Sequence, residues 1–310
     1  MPIHDLGYRA WSGKRTAEAG RWSVIAGSVI SASLQNAWVK RMLLFAWLPA
    51  LLWGTFFFVF ELRAQDPTDP GRLATLSTAF NTFLEVPPEL ITALKEDPHG
   101  ARSQYWSYLI LTFFRTPQAV GLAILIGFIA SPLISRDLRS RAFLLYFARP
   151  ITRLEYLLGK SAGVWCFTAA ITTLPALLLF VEAAMLSQEL SVLLVTWHLP
   201  FRVLGASLVL IIPTTMLALC FSSMTAENRF ATFGWFSVWI VGETAYQILD
   251  ADDRTWPVIS PYRSLGEIQK WIFGFVENTE ELTSCAIFWS VVTVLAFVVL
   301  YRRISAPMRV

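Results

Sequence analysis

The sequence predicts an all-α integral membrane protein with about six transmembrane helices, an N-terminal interfacial helix and a short helical loop between helices 2 and 3. Three observations carry this reading. Charged residues make up only 15% of the chain, against about 25% in an ordinary soluble domain. The deficit is concentrated in long uncharged runs, each near the ~20 residues that cross ~30 Å of hydrocarbon. Those runs are continuous rather than alternating, which argues for helices over barrel strands. The mean hydropathy of +0.53 agrees.

Residues 1–41 are polar and basic, without a short apolar core and small-residue cleavage site, so no removable signal peptide is expected. Within them, 21–41 reads as a helix. Ser23, Gly27, Ser31 and Gln35 recur every four positions, with Ile25, Val29, Leu34 and Trp38 elsewhere around the axis. Trp22 and Trp38 bracket it, and Lys40 and Arg41 close it against the membrane, as in a helix lying in the interface. A plain extension of the first span is the alternative.

Six spans follow, at about 42–61, 116–135, 161–186, 203–224, 230–249 and 282–301, within a single transmembrane domain over 1–310. Two apolar stretches of about a dozen residues, 103–114 and 190–201, are short for a span and suit interfacial or re-entrant helices. Tyr105, Trp106 and Tyr108 fit an aromatic belt at the membrane surface. Pro49, Pro132, Pro175 and Pro213 lie within or at the edges of spans, where local bending is expected.

Orientation follows from the basic residues. Placing the N-terminus inside makes 1–41, 136–160, 222–229 and 302–310 cytoplasmic, and these pieces hold 16 of the 25 Lys and Arg. The opposite loops, 62–115 and 250–281, are acid-rich. This is the positive-inside pattern, with both termini in the cytoplasm.

The loop 136–160, RDLRSRAFLLYFARPITRLEYLLGK, is the segment most suited to function. It is basic at both ends, through Arg136, Arg139, Arg141, Arg149, Arg153 and Lys160, and apolar from 142 to 148. Pro150 disfavours helix at Arg149. Thr152 and Glu155 form a T-x-x-E capping box that starts the next helix. A helix, a tight turn and a new helix result, able to pass force from a cytoplasmic partner to two spans. A basic loop that only sets topology and touches lipid phosphates is the plainer possibility.

The run 131–160 resembles the hallmark of ABC-2-type permeases, the membrane-spanning subunits of one class of ABC transporter. That pattern has an acid soon after the second span, a basic and apolar stretch, then RP-x-[ST]-R-x-x-[YF]-x-x-GK. Here those positions are Asp137, Arg149, Pro150, Thr152, Arg153, Tyr156, Gly159 and Lys160. The six-span layout, internal termini, interfacial helix and large first external loop are similar too, although 61–115 is longer than in many members. The resemblance implies a cytoplasmic coupling helix between helices 2 and 3. It would dock on a separate ATP-binding cassette ATPase through Arg136, Asp137, Arg139, Arg141, Arg149, Pro150, Thr152 and Arg153. It also implies a second permease copy or a similar permease as its pair, ATP and Mg held by the partner ATPase, substrate movement in the export direction, and a bacterial cytoplasmic (inner) membrane location.

The chain itself offers no enzyme chemistry. Gly159-Lys160-Ser161 imitates the end of a P-loop, but position 154 is Leu where the earlier glycine is required. His4, His99 and His198 are far apart and make no metal spacing, and Cys166, Cys220 and Cys285 read as small hydrophobes. No cofactor in this chain is expected, and a net charge of +3 gives no argument for nucleic acid. Glu61 and Glu182 fall near the outer ends of their spans, where carboxylates reach headgroups or water. Glu243 lies deeper and is a candidate for a substrate path or a polar interhelical contact. The alternatives to an ABC permease are an ATP-independent secondary transporter or channel, and a membrane anchor of a larger complex. The two halves show no clear internal repeat in favour of the former.

Overall fold

A computed structural model of the chain describes residues 20–64, 84–142, 146, 151–187, 191–250, 256–276 and 278–305. Among these residues there is helix and no strand. Five helical segments are long and apolar enough to cross a membrane: Ala37–Leu62, Gly100–Arg139, Arg153–Leu186, Val192–Met224 and Thr279–Ile304. The remaining expected span, 230–249, is a continuous helix over Asn228–Asp250, less apolar because it carries Glu243, Gln247 and Asp250.

α1 (Arg21–Gln35) is a separate helix, not an extension of the first span. It ends at Asn36, whose extended backbone (φ −79°, ψ 118°) divides it from α2 (Ala37–Ala64). Its polar stripe, Ser23, Gly27, Ser31 and Gln35, is exposed, whereas Ile25, Ala26 and Val29 are buried.

α3 (Pro88–Glu96) packs on α4 (Pro98–Phe113), which runs through a π-helical turn (Phe114–Gln118) into α5 (Ala119–Ile129) and α6 (Ser131–Arg139). This corrects the reading of 103–114 as a short interfacial or re-entrant helix, since it is the first part of the Gly100–Arg139 helix. Arg115 and Pro117 interrupt the apolar run, but the π turn carries the helix past them, as such bulges do around inserted residues. Tyr105 and Trp106 are fully buried and Tyr108 nearly so, in the protein core rather than in an aromatic belt. Tyr105 stacks on Phe60 of α2 with ring centroids 4.3 Å apart. The Tyr108 hydroxyl donates to the carbonyls of Leu84 and Glu85.

α7 (Arg153–Ile171) and α8 (Thr173–Leu186) form the third span, broken at Thr172. A proline at 175 cannot donate to the carbonyl of Ile171, which places the break where it is seen. Pro132, which cannot donate to the carbonyl of Phe128, likewise lies just past the α5–α6 junction at Ala130. The stretch expected near 190–201 divides into α9 (Ser191–Thr196) and the start of α10 (Leu199–Met224), so it leads into the fourth span. α11 (Asn228–Asp250) is followed by α12 (Pro261–Phe273), an amphipathic helix tucked against α10, α11 and α4, and by α13 (Thr279–Ser305). Ser260 caps α12 by accepting from the Arg263 amide, and Gly274, with φ +88°, ends it.

Indole N–H groups in the interior find acceptors on neighbouring helices. Trp53 donates to Leu109 O, Trp235 to Ala123 O, and Trp289 to the Ser264 hydroxyl. Each such bond replaces one that water supplies outside a bilayer. By contrast, α2 and α13 leave Leu44, Phe45, Leu48, Leu51, Val291, Val294 and Leu295 exposed, as suits helices bordered by lipid.

Candidate functional site at the root of the 136–160 loop

The candidate site is the base of the loop, where the second span leaves the bundle and the third enters it. α6 ends in a Schellman-type turn. The Ala142 amide donates to Asp137 O at 3.0 Å, and the Arg141 amide to Leu138 O at 3.3 Å. That geometry needs a left-handed residue after the cap, and Arg141 occupies it with φ 53°. On the other side, Thr152 Oγ1 accepts from the Glu155 amide at 3.2 Å, while Glu155 accepts from the Thr152 amide at 2.7 Å. The capping box is therefore complete, and α7 starts at Arg153.

Between these two ends lies a buried polar knot. Lys160 Nζ is 2.8 Å from Asp137 Oδ2, with the two side chains 6% and 13% exposed. The Tyr156 hydroxyl donates to the same carboxylate oxygen at 2.6 Å. The ammonium faces two rings, with centroids of Tyr156 at 5.5 Å and Tyr146 at 5.9 Å, within cation–π range. Burial, and then the negative charge of Asp137, push the Tyr146 phenol above its ordinary value. The motif residues Asp137, Tyr156 and Lys160 thus bind α6 to α7 across the loop.

Three further contacts tie this root to the rest of the bundle. Ser222, near the end of α10, accepts with its hydroxyl from the amides of Ile134 and Ser135, at 2.9 and 3.0 Å. The Ser135 hydroxyl donates to Asn228 Oδ1 at the start of α11. α1 lies along α7 with unusual closeness: a Cβ added to Gly159 would fall 2.6 Å from Ile25 Cβ and 2.7 Å from Trp22 O. Gly163, one turn on, meets Val29 in the same way. Glycines four apart allow such backbone approach between membrane helices, and this explains the glycine of the Tyr-x-x-Gly-Lys sequence.

The expected docking residues divide by environment. Arg139 is two-thirds exposed and lies 3.8 Å from Glu227, a pair too solvated to add much stability. Arg141 is exposed as well, whereas Asp137 is turned inward to Lys160. Arg136 is exposed beside a cleft bordered by α11. Arg153 lies over the Tyr301 ring of α13 at 6.0 Å. Arg149, Pro150 and the middle of the expected coupling helix, 143–145 and 147–148, lie outside the described residues. No local pattern in the sequence points to Ser222, Asn228 or Tyr146. Their role depends on which helix ends meet.

Two of the three intramembrane acids, Glu61 and Glu243, are engaged by other side chains. Glu61, expected to reach headgroups or water, is wholly buried. It is paired with Arg102 of α4 and accepts from the Trp106 indole at 2.7 Å. Two charged groups so placed satisfy one another where water cannot. Glu182 is partly buried beside Gly54 of α2. Glu243 makes an interhelical contact: its Oε1 accepts from Arg263 Nε and Nη2 at 3.2 and 3.1 Å, and its Oε2 from the Ser260 hydroxyl at 2.7 Å. It thereby holds the start of α12 against α11.

Comparison with known families places these features together. The model of the ABC-2 family transporter proteins matches residues 52–251, from within α2 past the end of α11, including the whole 136–160 loop. No curated protein and no solved structure matches the chain.

Proposed function

The chain belongs to the ABC-2 transporter family as a multi-pass membrane permease, and from that premise we propose that separate ATP-binding cassette ATPases drive it. ATP and Mg are held by those subunits, a second permease copy completes the pathway, and substrate moves in the export direction. Both termini face the cytoplasm of a bacterial inner membrane. Substrate identity is set by pathway-lining residues of the assembled pair.

The observation that carries this reading is the Asp137–Lys160 bridge at the root of the loop. A loop that transmits force needs a stiff base, and one ion pair with its Tyr156 hydrogen bond joins the second and third spans at that base. The Ser222 and Asn228 contacts extend the grip to the fourth and fifth. The loop then acts as a handle on four spans and α1 together. Arg139, Arg141 and Arg149 provide the charge facing the ATPase, Pro150 and Thr152 shape the turn, and Arg153 opens α7. Asp137 acts from within, by fixing the handle. Closing and parting of the ATPases needs to bias two arrangements only a few kcal/mol apart.

The test is a mild-detergent pull-down of the tagged chain with Arg139, Arg141 and Arg149 native or changed to Glu. An ATP-hydrolysing partner that accompanies the native chain and is lost from the charge-reversed one supports the proposal. A native chain that brings down no ATPase in several detergents, yet transports under an ion gradient, refutes it.

A further inference from the structure

A cleft of about 500 Å³ opens where α1 gives way to α2, against α5, α6 and the start of α11. Its polar rim carries Arg136 and Arg229 with the amides of Asn36 and Asn228, and its apolar wall includes Trp38 and Phe236. Among the described residues neither guanidinium has an acidic partner. Arg229 instead lies over the Phe230 ring at 5.1 Å. Two guanidinium groups therefore face one cavity whose far side is aromatic. Arg41 lies over the outward Trp38 ring at 5.7 Å and adds positive charge to the same edge.

We propose that this cleft holds the headgroup of an anionic phospholipid from the leaflet that meets α1. The chemistry is directional. Arginine presents planar, paired donors that match phosphate oxygens, and carboxamides add donors to ester and glycerol oxygens. The aromatic wall continues toward the bilayer and takes the first methylenes of an acyl chain. Basic pockets between spans at the cytoplasmic side are suited to anionic headgroups. Soluble anions fit the rim but gain nothing from Trp38 and Phe236. Arg136 is thereby assigned to the lipid rather than to the ATPase, which separates it from Arg139 and Arg141. Only the choice of leaflet rests on the orientation proposed above, and the experiment uses the permease without any ATPase.

Purified protein in a neutral detergent is titrated with phosphatidylglycerol, phosphatidylcholine or inorganic phosphate. Native mass spectrometry reads bound lipid, and thermal unfolding reads the shift in Tm. The native chain should retain phosphatidylglycerol and gain stability from it, with little response to phosphatidylcholine or phosphate. The R136Q/R229Q variant should bind phosphatidylglycerol about tenfold or more weakly, as expected for two lost cations at a membrane surface. R302Q/R303Q, which removes two exposed charges from the end of α13, should match the native chain. Equal binding of the two lipids overturns the proposal, as does undiminished binding by R136Q/R229Q. So does a shift from phosphate equal to that from phosphatidylglycerol, which would mark a site for a soluble anion.

Discussion

Lys160 Nζ and the Tyr156 hydroxyl converge on one oxygen, Oδ2 of Asp137. The two helices that flank the loop are therefore joined at a single atom. Replacing Lys160 with Met leaves a buried carboxylate without its cation, and loss of one partner of a buried pair typically costs about 3–5 kcal/mol. D137N should cost a similar amount, and D137N/K160M less than the two combined, since no lone charge then remains. Thermal unfolding of the four proteins in one detergent checks this. Additive losses would mean that the pair does not act as a unit.

Gly159 meets α1 so closely that a Cβ there would fall 2.6 Å from Ile25 Cβ. G159V must push the Trp22–Ile25 turn away, because the nearest atoms include a backbone carbonyl that cannot rotate aside. Overpacking of this kind costs about 1–3 kcal/mol. Proteolysis near Arg21 should accelerate while the spans remain intact, and limited trypsin digestion of reconstituted protein reads it directly. G27V should leave the digestion rate unchanged, since a Cβ at Gly27 meets no neighbour.

Arg141 holds a conformation that favours glycine. R141G should stabilise the chain by about 1 kcal/mol, the cost of left-handed backbone for a residue with a Cβ. The same change removes a docking charge. Stability and ATPase retention should thus move in opposite directions, as read by unfolding and by pull-down. A loss of both would show that the turn does not need glycine-like freedom.

Glu243 and Arg263 are about a quarter and a third exposed, so their pairing is screened. E243Q should lower stability by no more than ~1 kcal/mol. Its effect should be local: faster amide exchange at the start of α12, with α11 unchanged. Unaltered transport would place Glu243 in holding α12 and outside the substrate path.

How much of this was legible in the sequence depends on the range of the signal. The spans and the Thr152–Glu155 box are written in neighbouring residues and stand out as uncharged runs and a four-residue motif. Tyr105 and Trp106 misled because aromatic, amphipathic side chains look the same in a belt and in a core. What places them inside is the Glu61–Arg102 pair, 41 residues apart in the chain. Asp137 and Lys160 were each visible in the motif, but their distance from one another was not. Gly159 carried a readable hint: a small residue in a membrane helix four positions from Gly163 marks close packing, though not with which helix.

Asn36 takes on added meaning from where α1 is fastened. By sequence α1 is the prelude to the first span, yet by contact it rides on the third. The two are joined at one residue, with extended backbone and a carboxamide that accepts from the Trp38 amide at 2.9 Å. As long as α1 stays on α7, movement between them and the first span turns on Asn36, as at the pin of a two-leaf door. The same residue borders the cleft between α1, α6 and α11. A molecule lodged there would rest against the pin itself.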